Sequence, residues 1–593
     1  MIQTSEFYQK ELEKVTGEFV REKKKSDNIA LLRLISAISA IASFVLLLNY
    51  ETDVFLWFLI FSLICFIVFI SLSRRINRKK QFLQQLIKIN KDEIDCLSGI
   101  INQFDSGERY IDSNHPFSYD LDVFGNGSFF QYINRTFTQH GSEKLASLFN
   151  HPVNNVNKIH NRQYAIKELG SLPEFRHHYL ATGRMKENSL GVESDIHQWI
   201  NLKPKAADNQ FILYISYISP VALMASILIS IAGINTDLFT GIFLVINWLV
   251  LGNNLKEINQ YHMLLSKKQE FADTFQKLLS LIKNQKFNSQ LLQQLKSGSA
   301  EGIIELNKIK SLLSYFDFRL NILFAIFVNS IFLYDIHLIR KIEKWKKRNK
   351  DKIFDWLDIT YETEALNSLA TYAFNNPAYI YPEIISTEQL IYEAENSGHP
   401  LIFNKQNVLN NFNVSDKMFI ITGANMAGKS TFLRTLGLNL VIAYTGAPVN
   451  ASIMRCGVMN IYSSMRISDV LQESKSYFYA ELQRLQKIMT ALKSGEKVVI
   501  LVDEMLKGTN SNDKLSGSEG FIEQLLRYNC IGAVATHDLG LGEMENKFPG
   551  KIENYCFESL IENNELYFDY KLKRGVAQNK NATFLMKKMD IIK

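Results

Sequence analysis

Apolar residues follow two regimes along this chain. Up to about residue 340 they gather in long runs or recur at helical spacing; from about Tyr381 they form short β-branched runs alternating with helical stretches. Val54 to Leu72 (VFLWFLIFSLICFIVFISL) carries no charge and is about as long as a bilayer-crossing helix must be. Ile29 to Leu48 precedes it and is nearly as apolar, its one charge, Arg33, lying near an end where a long side chain can snorkel. Only Asn49 to Asp53 separates the two. The pattern predicts a membrane hairpin over 29–73. Lys23, Lys24 and Lys25 precede it and Arg74, Arg75, Arg78, Lys79 and Lys80 follow it, so the positive-inside bias places both flanks in the cytoplasm.

A second pair, Phe211 to Ile234 and Leu238 to Leu251, repeats the layout around a short Asn235–Asp237 turn, with Pro220 tolerable inside a membrane helix. It predicts a second hairpin over 211–252. Leu320 to Ile339 is also apolar, but Asn321, Asn329, Asp335 and His337 interrupt it, which suggests a buried or interfacial helix rather than a fifth span. The alternative for every such run is a core helix of a large soluble protein.

The remaining pattern divides the chain into further units. Residues 1–28 are a charged segment without a leading apolar run, against a cleaved signal peptide. Residues 79–205 read as mostly helical. Residues 255–380 include Leu255 to Tyr315, polar with Leu and Ile at helical spacing, as in long levers. Lys341 to Lys352 (KIEKWKKRNKDK) is a basic run that either contacts phosphates or headgroups or is a solvated helix face. Residues 381–593 form an α/β domain with a mostly parallel sheet.

Composition changes little. A net charge of +6 over 593 residues makes a global nucleic-acid surface a weak expectation, so any basic site must be local. Five scattered cysteines, none in a C-x-x-C pair, suggest neither a disulfide framework nor a zinc site.

The candidate chemistry lies in the last unit. Met418 to Thr422 reads as a buried strand that runs into Gly423, Ala424, Asn425, Met426, Ala427, Gly428, Lys429 and Ser430, and then into a helix from Thr431 to Tyr444. In a strand, glycine loop and helix of this kind, backbone amides and the positive helix end cradle phosphates, the lysine reaches the β and γ phosphates, and the serine hydroxyl holds magnesium. A chance glycine turn is the bland alternative. Lys497 to Val502 is a second buried strand, ending in Asp503 and Glu504: Asp503 is placed to hold magnesium and Glu504 to act as general base on a water. Ile531 to Ala535 delivers His537 to the same sheet edge, as a hydrogen-bonding sensor of the γ-phosphate or as a structural residue.

These motifs resemble the ATPase of the MutS mismatch-repair family. That family's TGPNMGGKST appears here as Thr422 to Thr431, with Asn425 and Met426 the informative matches. Its D-x5-6-R-S-T-F-x-x-E is approached from Asp469 through Ser476 and Phe478 to Glu481, and its GRGTSTxDG by Leu506 to Lys514. Upstream, Asn134 to Thr138, His151-Pro152 and Arg162 resemble the start of the family's helical core. The resemblance implies a P-loop ATPase using ATP and Mg2+, with nucleotide bound by Gly423 to Thr431 and Lys429, Glu504 and His537 as catalytic residues. It further implies a homodimer through the ATPase domains in which Ser476 contacts the partner's nucleotide, and possible DNA binding, with no small-molecule substrate beyond ATP. The mismatch-reading domain has no counterpart, and Asn407 stands where the family places an adenine-stacking aromatic residue.

The expectation is therefore an integral protein of a bacterial plasma membrane, its amino terminus and ATPase cytoplasmic, in which ATP switches a dimer's grip on DNA. A scaffold switched by ATP without DNA is the alternative. A transporter of the ABC type fits less well, because the LSGGQ-like Leu515 to Gly520 lies after Asp503 rather than before it.

Overall fold

A computed structural model describes the chain except residues 1, 51, 186–197, 203, 205–208, 266–267, 404–406, 425, 467–476, 507–510, 563–564 and 579–593. The first part is almost wholly helical. Helices α1 (Ile2–Tyr50) and α2 (Asp53–Leu97) pack side by side as a long antiparallel pair. Neither breaks at the boundaries expected near residues 28 and 73, because a helix satisfies its own backbone bonds in either solvent. The polar band below the apolar stretch is in register across the pair: Glu22 is buried and takes both Lys25 and Lys79 at 3.0 Å. Above it, side chains such as Trp57, Phe61 and Ile67 lie open, each at least 64% exposed.

The short α3 (Phe129–Ile133) and α4 (Gln139–Asn150), α5 (Val156–Gly170) and α6 (Pro173–Arg184) follow. Next come the second apolar pair, α7 (Gln210–Ile231) and α8 (Asp237–Leu265), then two long helices, α9 (Lys268–Asn284) and α10 (Gln290–Asp317), which pack together. Among the described residues, four helices are long and apolar enough to cross a membrane: α1, α2, α7 and the helix that starts at Asp237.

The apolar run from Leu320 to Ile339 is not one helix. It breaks at Leu333, whose φ is +48°, into α11 (Ile322–Phe332) and α12 (Tyr334–Asn349). Of α11 only Asn329 is buried, so the buried-helix alternative is corrected: one side packs on neighbouring helices, and most of its apolar side chains stay exposed or half-exposed. The basic run after it is no plain solvated face either. Trp345 stacks on Trp199, and Lys346 is buried with its Nζ donating to the carbonyls of Trp199 and Leu202 at 3.1 and 2.6 Å. Lys344, Lys347 and Arg348 do face outward.

Helix α13 (Lys352–Asn375) is the axis of the helical core, packed on α4, α5 and α10. The buried Glu364 on it accepts from the amides of Phe137 and Thr138 and from the Thr138 hydroxyl at 2.8–3.0 Å, tying the Asn134–Thr138 stretch to the axis.

Among the described residues ten strands follow: β1 (Glu383–Ile385), β2 (Tyr392–Ser397), β3 (Asn410–Asn413), β4 (Met418–Gly423), β5 (Ile453–Gly457), β6 (Asn460–Ser464), β7 (Val498–Asp503), β8 (Cys530–Thr536), β9 (Ile552–Glu562) and β10 (Glu565–Arg574). They form a four-stranded sheet, β1-β5-β2-β3, and a six-stranded sheet, β10-β9-β4-β8-β7-β6. In the larger sheet every pairing is parallel except β10 with β9. Strand β4 is buried at every position between β8 and β9, as a near-continuous apolar run in a covered parallel sheet must be. Helices α14 (Lys429–Thr445), α15 (Tyr477–Lys493) and α16 (Ser511–Leu525) complete the unit, and Leu515 to Gly520 lies within α16.

Candidate functional site

In a parallel sheet the carboxyl ends of the strands share one edge, and ligands bind in the crevice beyond it. Here β4, β7 and β8 end together: Thr422 is in register with Thr536, and Asp503 with Ala535. Gly423, Asp503 and His537 are thereby brought within one neighbourhood although more than 100 residues separate the first from the last. Asp503 and His537, with Ala424 next to Gly423, line a cleft of about 950 Å3.

Two glycines make the loop's path possible. Gly423 has a φ of +151°, and a Cβ there would come within 2.6 Å of the Phe557 carbonyl oxygen. Gly428, at +104°, is the N-cap of α14, and a Cβ would meet the Tyr570 ring at 3.0 Å. The first turn of α14 therefore points its unpaired amides into the cleft, with Ser430 and Thr431 exposed there.

Lys429 is 5% exposed. Its Nζ donates to the carbonyls of Gly423 and Ala424 at 2.6 and 2.9 Å and lies 3.3 Å from His537 Nδ1. Burial lowers its pKa to about 8, against the pull of Asp503 and Glu504. His537 Nε2 sits 3.1 Å from the Glu504 carboxylate. Burial and then the Lys429 cation push the imidazole below its usual range, while Glu504 opposes them. The three groups form one electrostatic unit on the cleft wall. Glu504 itself has a φ of +59°, uncommon for a residue with a side chain, and its amide donates to the Ala535 carbonyl at 2.9 Å. Strain of this kind is held by its surroundings. Two residues on, the Leu506 amide donates to the buried carboxylate of Glu481 on α15.

The arrangement can bind a polyphosphate by loop amides and Lys429, and Glu504 is positioned to draw a proton from a water. Among the described residues no group of three or more His, Cys, Asp or Glu side chains is gathered to hold a metal. Ser430 and Asp503 instead offer one hydroxyl and one carboxylate across the same cleft. That sparse set of hard oxygens fits Mg2+, which keeps several waters and takes further oxygens from substrate phosphates.

Met426 projects from the loop, 85% exposed, and Ala427 is buried beneath it. Asn425 and Ser476 lie outside the described residues, as do Asp469 and the stretch from Lys507 to Asn510. Asn407 does line the cleft, but its side chain is committed to its own loop: Oδ1 accepts from the His399 amide, and Nδ2 donates to the carbonyls of His399 and Ile402. The aromatic surface comes from elsewhere. Tyr567, Phe568 and Tyr570 line the cleft from β10. A register shift between Phe568 and Leu572 and a φ of +51° turn Tyr570 onto the glycine loop. Asn410 holds that bulge, donating to the Tyr570 carbonyl at 3.1 Å and accepting from the Leu572 amide at 2.8 Å. The motifs gave no sign of Tyr570, because nothing in linear spacing relates it to a loop 140 residues earlier.

Asp120 was also silent in the sequence. Its buried carboxylate accepts from Ser463 Oγ, from the amides of Met465 and Arg466, and from Arg484, all at 2.8–3.1 Å. It fastens the end of β6 and the side of α15 to the helical core. Asp122, two residues on, pairs with Arg434 on α14 at 2.7 Å and with Arg466.

Residues 419–589 match the family model described as MutS domain V. Over 245 residues the chain is 31% identical to the DNA mismatch repair protein MutS of Thermotoga petrophila, a match covering 40% of this chain and 30% of that protein. The MutS proteins of Ruminiclostridium cellulolyticum and Clostridium kluyveri are 31% and 33% identical over 36% and 37% of the chain, and 25% and 26% of their own lengths. The chain thus spans less than a third of the curated relatives it matches.

Proposed function

We propose that this chain, which belongs to the MutS family by its carboxy-terminal domain, is a membrane-anchored ATPase. It binds ATP with Mg2+ on the Gly423–Thr431 loop and hydrolyses it to switch how two copies grip DNA. The observation that carries the reading is the convergence of Lys429, Ser430, Asp503, Glu504 and His537 on one cleft at the carboxyl edge of parallel strands. In the proposed step Lys429 and the loop amides hold the phosphates; Ser430 and Asp503 would hold a magnesium ion, which would supply charge neutralisation. Glu504 takes the proton of the attacking water, with His537 Nε2 orienting its carboxylate. Tyr570 offers an aromatic face to the base where Asn407 cannot.

The two apolar hairpins supply the anchor. Their open apolar side chains match a hydrocarbon solvent, and the ion-paired band at Glu22, Lys25 and Lys79 marks the cytoplasmic boundary of the first. The units 1–28, 29–73, 79–205, 211–252, 255–380 and 381–593 belong to the same proposal, with the last as the ATPase and the protein in a bacterial plasma membrane.

The decisive measurement is ATP turnover by the full chain in nanodiscs. Magnesium-dependent turnover lost in Lys429→Ala supports the reading, and its absence from the wild type refutes it. DNA is tested separately by retardation of duplex across a salt series, since phosphate contacts must weaken as salt rises. Turnover without retardation at low salt would leave the ATP-switched membrane scaffold as the function.

A further inference from the structure

Helix α11 is the most exposed apolar element outside the two hairpins: Ile322, Leu323 and Phe327 are 71%, 82% and 66% exposed, and Leu320 just before it 70%. The chain bends by 108° between α10 and α11. At about 1.5 Å per residue the eleven residues of α11 reach roughly 16 Å, about half of a hydrocarbon core. It cannot cross.

What surrounds α11 decides what covers it. It packs against α7 and α8, so its apolar surface continues theirs. The contacts that seat it, and the start of α12 just after it, are made to backbone groups that a helix end or a proline leaves without partners. Pro220 has no N–H, which strips the Ser216 carbonyl of its bond within α7; His337 Nε2 donates to that oxygen at 2.9 Å. A carbonyl only accepts, so the proton is assigned to Nε2. At the carboxyl end of α11 the Ser330 and Ile331 carbonyls accept from Asn247 Nδ2 on α8, at 2.8 and 3.5 Å. Across the break at Leu333 the Asp335 amide donates to Asn329 Oδ1 at 2.9 Å. Water would satisfy all of these for nothing. Where water is missing each must find a protein partner, while apolar side chains may face outward. The Ser216, Ser330 and Ile331 carbonyls and the Asp335 amide have such partners, while Ile322, Leu323 and Phe327 face outward.

Depth follows from register. Ser216 lies six residues into α7, about 9 Å from its start at Gln210, and Asn247 sits near the end of the apolar stretch of α8. Both are close to the end of the hairpin expected to be cytoplasmic.

We propose that α11 is inserted in the cytoplasmic leaflet as a re-entrant half-helix, clasped to the second hairpin by Asn247 at its carboxyl end and by His337 on α12 just beyond the break, its outer face covered by lipid. This rests on the membrane-anchor reading above and adds a third membrane contact, one that sits between α10 and α12. Since α12 leads into the core axis α13, the levers are held to the bilayer at the level of α11 as well as through the hairpins.

The test places a fluorophore on Leu323→Cys, Phe327→Cys or Val221→Cys in full chain carrying Cys65→Ser and Cys530→Ser, reconstituted in phosphatidylcholine–phosphatidylglycerol vesicles. Val221 lies at the middle of α7, 69% exposed. Lipids spin-labelled near the headgroup or near the chain end, and aqueous iodide, serve as quenchers. The expected result is loss of fluorescence at 323 and 327 to the shallow lipid label, at 221 to the deep one, and at none to iodide. Lipid quenching at 221 with iodide quenching at 323 and 327 overturns the half-helix and leaves the anchor standing. Iodide quenching at all three overturns both. Protection of 323 and 327 from every quencher means that protein covers α11, which also overturns the proposal.

Discussion

Tyr8 and Asn375 are 367 residues apart, and the phenol of the first donates to Oδ1 of the second at 2.8 Å in a fully buried contact. Asn375 in turn donates to Glu93 on α2 at 2.8 Å, and Glu93 pairs with Arg135. Both stalks of the first hairpin are thus fixed to the last turn of the core axis, a few residues before the first sheet. These buried contacts join that hairpin to the helix that leads into the sheets.

Loss of this contact should be felt as stability first. Tyr8→Phe leaves a buried acceptor on Asn375 unsatisfied and should cost about 1–3 kcal/mol. Tyr8→Ala adds a cavity among Phe7, Phe374 and His177 and should cost about 3–5 kcal/mol. Thermal unfolding in detergent reads both, and a Tyr8→Ala protein as stable as wild type would show that the stalk is not clamped there.

Lys429 predicts a pH dependence whose sign is fixed. Its folded pKa of about 8 lies below the 10.5 of a free lysine, so between those values the unfolded chain binds more protons and stability rises with pH. Bound phosphates favour the charged form, so nucleotide binding near pH 9 should take up a proton and weaken as pH climbs above 8. Calorimetry in buffers of different ionisation enthalpy measures the uptake, and Lys429→Met should abolish it.

Glu504→Gln keeps the shape of the cleft and removes the base. Turnover should fall by about 10²–10⁴-fold while ATP affinity stays near that of wild type. Single-turnover assays with equilibrium binding separate the two, and unchanged turnover would remove Glu504 from the chemistry.

Asp120→Ala strips Arg484 of its partner and frees the amides of Met465 and Arg466. A loss of about 3 kcal/mol is expected from breaking a buried pair. Hydrogen exchange should quicken at those two amides and leave the centre of β4 protected; uniform exchange across the sheet would instead mean global destabilisation.

Much was legible in the sequence because the information is local. A buried strand, glycines at tight positions and a helix start follow one another directly from Met418 to Thr445, and each is written in consecutive residues. The strands ending in Asp503 and Thr536 were legible as apolar runs, and parallel pairing then required their ends to meet. Apolar length alone marked α1, α2, α7 and α8 as long enough for a membrane. Tertiary structure alone decided the rest, since packing joins residues whose order in the chain carries no trace of the contact. Tyr570 reaches the loop only through a bulge held by Asn410, and Asp120 meets Arg484 across 364 positions. The run from Leu320 to Ile339 shows the limit most clearly: composition gave its polarity, but neither its break at Leu333 nor the bond from His337 to the Ser216 carbonyl, which a proline on another helix leaves without its helical partner.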